Sequence, residues 1–122
     1  METKQATAIF EALSSDVRLD LFRLLVKYAP GGLVAGEIAT HLKVTNTNLS
    51  FHLKTLLYAG LITMEKEGRF LRYRANIPVM LDTIAYLTAE CCSGEPEQCR
   101  NYRAASSVSP AFLPECGSVK KE

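Results

Sequence analysis

The sequence predicts a mainly α (α+β) domain of about five helices and a two-stranded β-hairpin. Three observations carry that expectation. Apolar residues recur at three- and four-residue spacing along most of the first ninety positions. The period switches to alternation only across residues 61–75. Capping residues, glycines and prolines stand at the boundaries between these stretches. A chain of 122 residues suits one domain, and 48% hydrophobic with 22% charged residues is ordinary globular composition, which argues against a disordered chain. The residues divide into a folded part, 1–94, and a cysteine-containing tail, 95–122.

Ala6, Ile9, Phe10 and Leu13 share one helical stripe, so the chain opens as a helix. Ser14-Ser15-Asp16 then offers an N-cap for a second helix from Val17 to Tyr28, with Val17, Leu21, Leu24, Leu25 and Tyr28 in line. Pro30-Gly31-Gly32 stops it. A short helix over Ala35–Leu42 turns Ile38, Ala39 and Leu42 inward, and Lys43-Val44-Thr45-Asn46 forms a turn. Thr45 or Asn46 caps a fourth helix reaching about Ala59, whose buried stripe is Leu49, Leu53, Leu56 and Leu57. Gly60 stands where a helix-terminating glycine belongs. Leu61–Glu65 and Phe70–Arg74 read as strands joined through Glu67-Gly68. Pro78 opens a last long helix, with Met80, Leu81, Ile84, Leu87 and Thr88 along one side, which ends by Gly94-Glu95-Pro96. The serines and prolines after Ala104 suggest a loose tail.

The order helix, helix, short helix, turn, helix, hairpin is that of a winged helix-turn-helix. Charge supports a polyanion partner. Residues 41–75 hold Lys43, Lys54, Lys66, Arg69, Arg72 and Arg74 against Glu65 and Glu67, a local charge of +4, which leaves −3 for the rest of a chain whose total is +1. The fourth helix would enter the major groove of double-stranded operator DNA by its N-terminal end. Thr45, Asn46, Thr47, Asn48, Ser50, His52 and Lys54 are the candidates for base edges and phosphates, and Lys66, Arg69 and Arg72 of the wing for phosphates or the neighbouring minor groove. His52 as a packing residue and Thr45 as a mere cap remain open readings. No apolar run approaches the ~20 residues of a membrane span, and the first residues lack a signal-peptide core, so a cytoplasmic protein without a membrane partner is expected.

Phe10–Leu25 resembles the opening of the ArsR/SmtB family of metal-sensing repressors. Thr47–Ile62 looks like that family's recognition helix and wing entry, and Glu67–Arg74 like its wing. The resemblance spans about residues 6–92. It implies a homodimeric repressor whose first and last helices form the interface, reading a pseudo-palindromic operator and releasing it on binding metal. The apolar stripes on those two helices fit an interface, or packing within one chain.

The resemblance leaves the inducer site open. Arsenic sensors of the family often carry a cysteine motif at the start of the short helix, where this chain has Leu33-Val34-Ala35-Gly36-Glu37. Zinc sensors use Asp, His and Glu on the last helix, which here offers Asp82 and Glu90 but no histidine; His41 and His52 lie in the DNA-binding half. What remains is Cys91, Cys92 and Cys99, three soft ligands with a turn between them. Three thiolates suit trivalent arsenic (arsenite or methylarsenite) or antimonite, whereas structural zinc prefers four ligands. Cys116 is an auxiliary candidate: a fourth zinc ligand, a substitute third ligand, a contact across the dimer, or an idle thiol. Arg100 and Arg103 would lower the thiol pKa values, with Glu95 and Glu97 opposing. The alternative is a thiol-based redox-sensing repressor. No organic cofactor is called for. Catalysis is not expected, since the chain has no CxxC, phosphate loop or Ser/His/Asp set. A winged helix that binds only protein is the remaining rival.

Overall fold

The computed structural model describes residues 1–109; Cys116, Pro110 and Pro114 lie outside the described residues. Residues 1–84 form one compact unit, and a second begins at Ala85. The element order is α1 (Thr3–Leu13), α2 (Asp16–Lys27), β1 (Leu33–Val34), α3 (Ala35–Leu42), α4 (Asn46–Tyr58), β2 (Ile62–Glu67), β3 (Phe70–Ala75), α5 (Ile77–Thr88) and α6 (Pro96–Ala105).

The first unit is a winged helix-turn-helix, as the sequence predicts. Ser15 caps α2 by accepting from the Arg18 N–H. The Glu37 carboxylate accepts from the Val34 N–H and so satisfies a donor at the start of α3. Lys43 ends α3 in the left-handed conformation, φ 57°, and Thr45 caps α4. Ile9, Leu21, Leu25, Ile38, Leu49, Leu56 and Leu61 are fully buried and tie α1 through α4 and the start of β2 into one core. Seven aliphatic side chains of this size give ~10–20 kcal/mol of gross burial, most of which offsets chain entropy.

Two features differ from expectation. The sheet has three strands, in the order β1-β3-β2, all antiparallel. A two-residue strand pairing Leu33 with Tyr73 and Val34 with Arg72 is too short to show alternation in sequence. The hairpin is also two residues longer than read. Glu67 pairs with Phe70, so the turn is Gly68-Arg69 rather than Glu67-Gly68, with Gly68 at φ 63°.

In the second unit, residues 96–105 of the cysteine-containing tail form a helix that the sequence reading does not give. Pro96 at the first turn, Glu97 beside it and Arg103 in the last turn complement the helix dipole, and α6 follows. The described helices therefore number six, not about five. No helix among the described residues is long and apolar enough to cross a membrane.

Candidate nucleic-acid interface and thiol site

The buried leucines Leu49, Leu53 and Leu56 anchor α4, so its other side faces outward. Asn46, Thr47, Asn48, Ser50 and Lys54 are exposed there, where base or phosphate contacts need them. Thr45 is also exposed, but its hydroxyl oxygen accepts from the Asn48 N–H at 3.2 Å, which makes it the cap of α4. One apolar group escaped the sequence reading: Phe51 is 64% exposed in the midst of these polar side chains. The leucine stripe carried the signal, since it fixes which direction is outward.

His52 is half-buried. Its Nδ1 lies 3.3 Å from Nη1 of Arg18, whose Nε donates to the Ala12 carbonyl at 2.6 Å. A guanidinium only donates, so Nδ1 accepts, and the ring is neutral with its proton on Nε2. Partial burial and then the Arg18 charge hold the His52 pKa below its ordinary value. Arg18 thus bridges the end of α1, the start of α2 and the recognition helix. No local sequence pattern announces that link.

The wing divides its charges. Arg72 donates from Nε to Glu67 and from Nη1 to the Gly31 and Gly32 carbonyls, at 3.0–3.3 Å. Arg74 pairs with Glu65 at 2.6 Å and donates to the Pro30 carbonyl at 3.2 Å. Arg72, read in sequence as a phosphate ligand, therefore fastens β3 to the loop before β1. Lys66 and Arg69, at the end of β2 and in the turn, are exposed and have no ion-pair partner among the described residues.

The thiols meet in the second unit. Glu90, Cys92, Ser93 and Gly94 all take positive φ, and the turn over Cys91–Gly94 closes with the Glu95 N–H on the Cys92 carbonyl at 2.8 Å. This left-handed turn sets Cys91 Sγ 3.2 Å from Cys92 Sγ. Three non-glycine residues in that region store ~1–3 kcal/mol each. Cys92 also has Cys99, on the first turns of α6, as a hydrogen-bond partner. The sulfurs thus form a chain of contacts centred on Cys92. Among the described residues no group of three or more His, Cys, Asp or Glu side chains is placed to hold a metal ion. Arg100 and Arg103 do not depress the Cys92 thiol. Its pKa is pushed up to about 11, first by the hydrogen bond with Cys91, so the protonated form holds the cluster together.

Residues 13–65 match the model of a helix-turn-helix domain family. The chain is 32% identical over 79 residues to the transcriptional repressor SdpR of Bacillus subtilis (strain 168), covering 65% of this chain and 84% of that one. It is 29% identical over 104 residues to an arsenical resistance operon repressor of Staphylococcus aureus, covering 85% and 97%. Among solved structures, an ArsR-like transcriptional regulator from Rhodococcus sp. RHA1 superposes with a TM-score of 0.63 at 26% identity, over 86% of this chain and 96% of that one. The homodimeric winged helix-turn-helix DNA-binding domain Mb0332 of Mycobacterium bovis, a possible ArsR-family regulator, gives 0.55 at 25% identity, over 70% and 83%.

Proposed function

The chain belongs to the ArsR family of transcriptional regulators, and we propose that it is a cytoplasmic homodimeric repressor that leaves its operator when a trivalent arsenic species is held by Cys91, Cys92 and Cys99. It is a DNA-binding regulator rather than an enzyme, as its relatives are. The observation that carries the inducer reading is the meeting of the Cys91 and Cys99 thiols on Cys92. The donor set fits the ligand. Arsenite reaches a thiol as a neutral hydroxide, and each sulfur bond it forms releases one water. Soft sulfur donors favour such a centre over hard cations. Methylarsenite, with one position already taken, needs one thiol fewer; antimonite follows the arsenite chemistry.

The response follows from chain order. The thiols begin three residues after α5, whose Leu81 and Leu87 are exposed, as is Phe10 of α1. Those apolar groups suit burial against a second copy, and the Mb0332 domain is homodimeric. Two recognition helices must lie about one DNA turn apart to bind both half-sites. Capture of the ligand replaces the thiol contacts within residues 91–99 by bonds to one centre and alters the pose of the two protomers. A coupling of ~1–3 kcal/mol suffices for release.

The thiol contacts also favour a second reading, in which an oxidant such as peroxide takes two electrons and two protons from Cys92 and Cys99 to form a disulfide. Fluorescence anisotropy of the reduced protein on DNA from upstream of its own gene separates the two. Arsenite under reducing conditions should release the DNA, and Cys92→Ser should abolish that release. Release by peroxide alone would replace the arsenic reading with the redox one. Affinity unmoved by either would remove Cys91, Cys92 and Cys99 from regulation.

A further inference from the structure

Phe51 is the group on α4 that neither the core nor the polar interface accounts for. At about 100° per residue, it lies within about 15° of the direction opposite Leu49, Leu53 and Leu56, the most outward line of the helix. It stands in the first half of α4, the end that enters the major groove. With Asn46, Thr47, Ser50 and Lys54 it lines a shallow hollow of about 500 Å³. The His52 ring meets the Phe51 ring edge-on, with centroids 5.5 Å apart, and His52 is itself held by Arg18. The aromatic group is therefore set in place before any partner arrives.

We infer that Phe51 reads the C5-methyl of thymine, so that each operator half-site carries a thymine beneath it. The inference rests on α4 being the recognition helix. Among the groups that base pairs present in the major groove, the thymine methyl is the largest apolar one, beside the smaller C5–H of cytosine. The surrounding amide, hydroxyls and Lys54 ammonium suit the base edges and phosphates on either side, and the +4 charge of residues 41–75 favours DNA over an apolar protein face. Burying one methyl against the ring is worth about fourfold in affinity per half-site.

The test uses the full-length dimer and duplexes selected from a randomised pool. In the winning site each thymine is replaced singly by uracil, which removes the methyl and leaves the hydrogen-bonding edge intact. Wild type should lose about fourfold at one symmetry-related thymine and about fifteenfold when both copies are replaced. Phe51→Ala should bind the thymine site more weakly and be indifferent to that replacement. Tyr58→Ala, on an aromatic residue 97% exposed at the far end of α4, should keep the full thymine dependence. Equal losses in wild type and Phe51→Ala, or none in either, overturn the inference while leaving the DNA reading intact. If no duplex is retained with a steep salt dependence, the reading of α4 fails first and takes the inference with it.

Discussion

Replacing Arg18 by methionine tests how the recognition helix is held. Methionine keeps most of the apolar stem and removes every donor. The Arg18 Nε bond to the Ala12 carbonyl is 2.6 Å long, and Ala12 lies in the last turn of α1, where carbonyls lack helical partners and a cation is favoured. Loss of a charged donor to such a carbonyl costs about 1.5–2 kcal/mol. The bond to His52 Nδ1 is longer, 3.3 Å, and contributes about 0.5–1 kcal/mol. Together they amount to about 2–3 kcal/mol, or roughly 10–15 °C in Tm for a domain of this size. Urea unfolding at fixed protomer concentration measures the first figure, because dimer stability depends on concentration. A double-mutant cycle with His52→Gln isolates the second, and DNA affinity should fall alongside it because α4 loses its brace. A loss below about 0.5 kcal/mol, or no coupling in the cycle, would refute the bracing argument.

The same contact gives a pH dependence. Above the ordinary histidine value of 6.5, His52 is neutral in both states and the contact is fully present; as pH falls, the unfolded chain takes the proton first and stability is lost. Stability should therefore decline more steeply below 6.5 in wild type than in Arg18→Met, and a steeper decline in the variant contradicts the assignment. Gly32→Ala should cost about 3 kcal/mol in urea unfolding, since φ is 73° and a Cβ would strike the Tyr73 carbonyl and the Arg74 side chain; a loss under about 1 kcal/mol would mean β3 shifts freely. Thr45→Ala should cost about 1 kcal/mol, and Thr45→Ser should restore it. Unchanged stability with weakened DNA binding would instead make Thr45 a base contact.

Most of the first unit was legible because its signals are periodic. The stripe Leu49-Leu53-Leu56 places α4 to within a residue at each end, and Thr45 and Gly60 punctuate its ends. What escaped depends on groups distant in sequence. Arg72, a phosphate candidate, and Arg74 stand in one basic run, and their guanidiniums reach the Pro30-Gly31-Gly32 carbonyls about forty residues away. Likewise the partner of His52 is Arg18, 34 positions upstream. Net charge in a window cannot tell a cation aimed at phosphate from one fastening two strands.

The thiol site shows the opposite limit. Its members are legible as residue types, and a turn after Cys92 is legible at Gly94-Glu95-Pro96. The turn that joins them is instead left-handed at Glu90, Cys92 and Ser93, none of which is glycine. Propensity argues against each of these in turn, so no local rule yields the geometry. Strain of this kind persists only where surroundings hold it. The contacts that do so are the thiol hydrogen bonds centred on Cys92, and α6, whose start brings Cys99 back to that sulfur. The helix missed in sequence is thus the element that turns an adjacent cysteine pair into a group of three. A ligand that bonds all three sulfurs would act on a turn already strained, and its binding would be felt first at the two ends of that turn, where α5 ends and α6 begins.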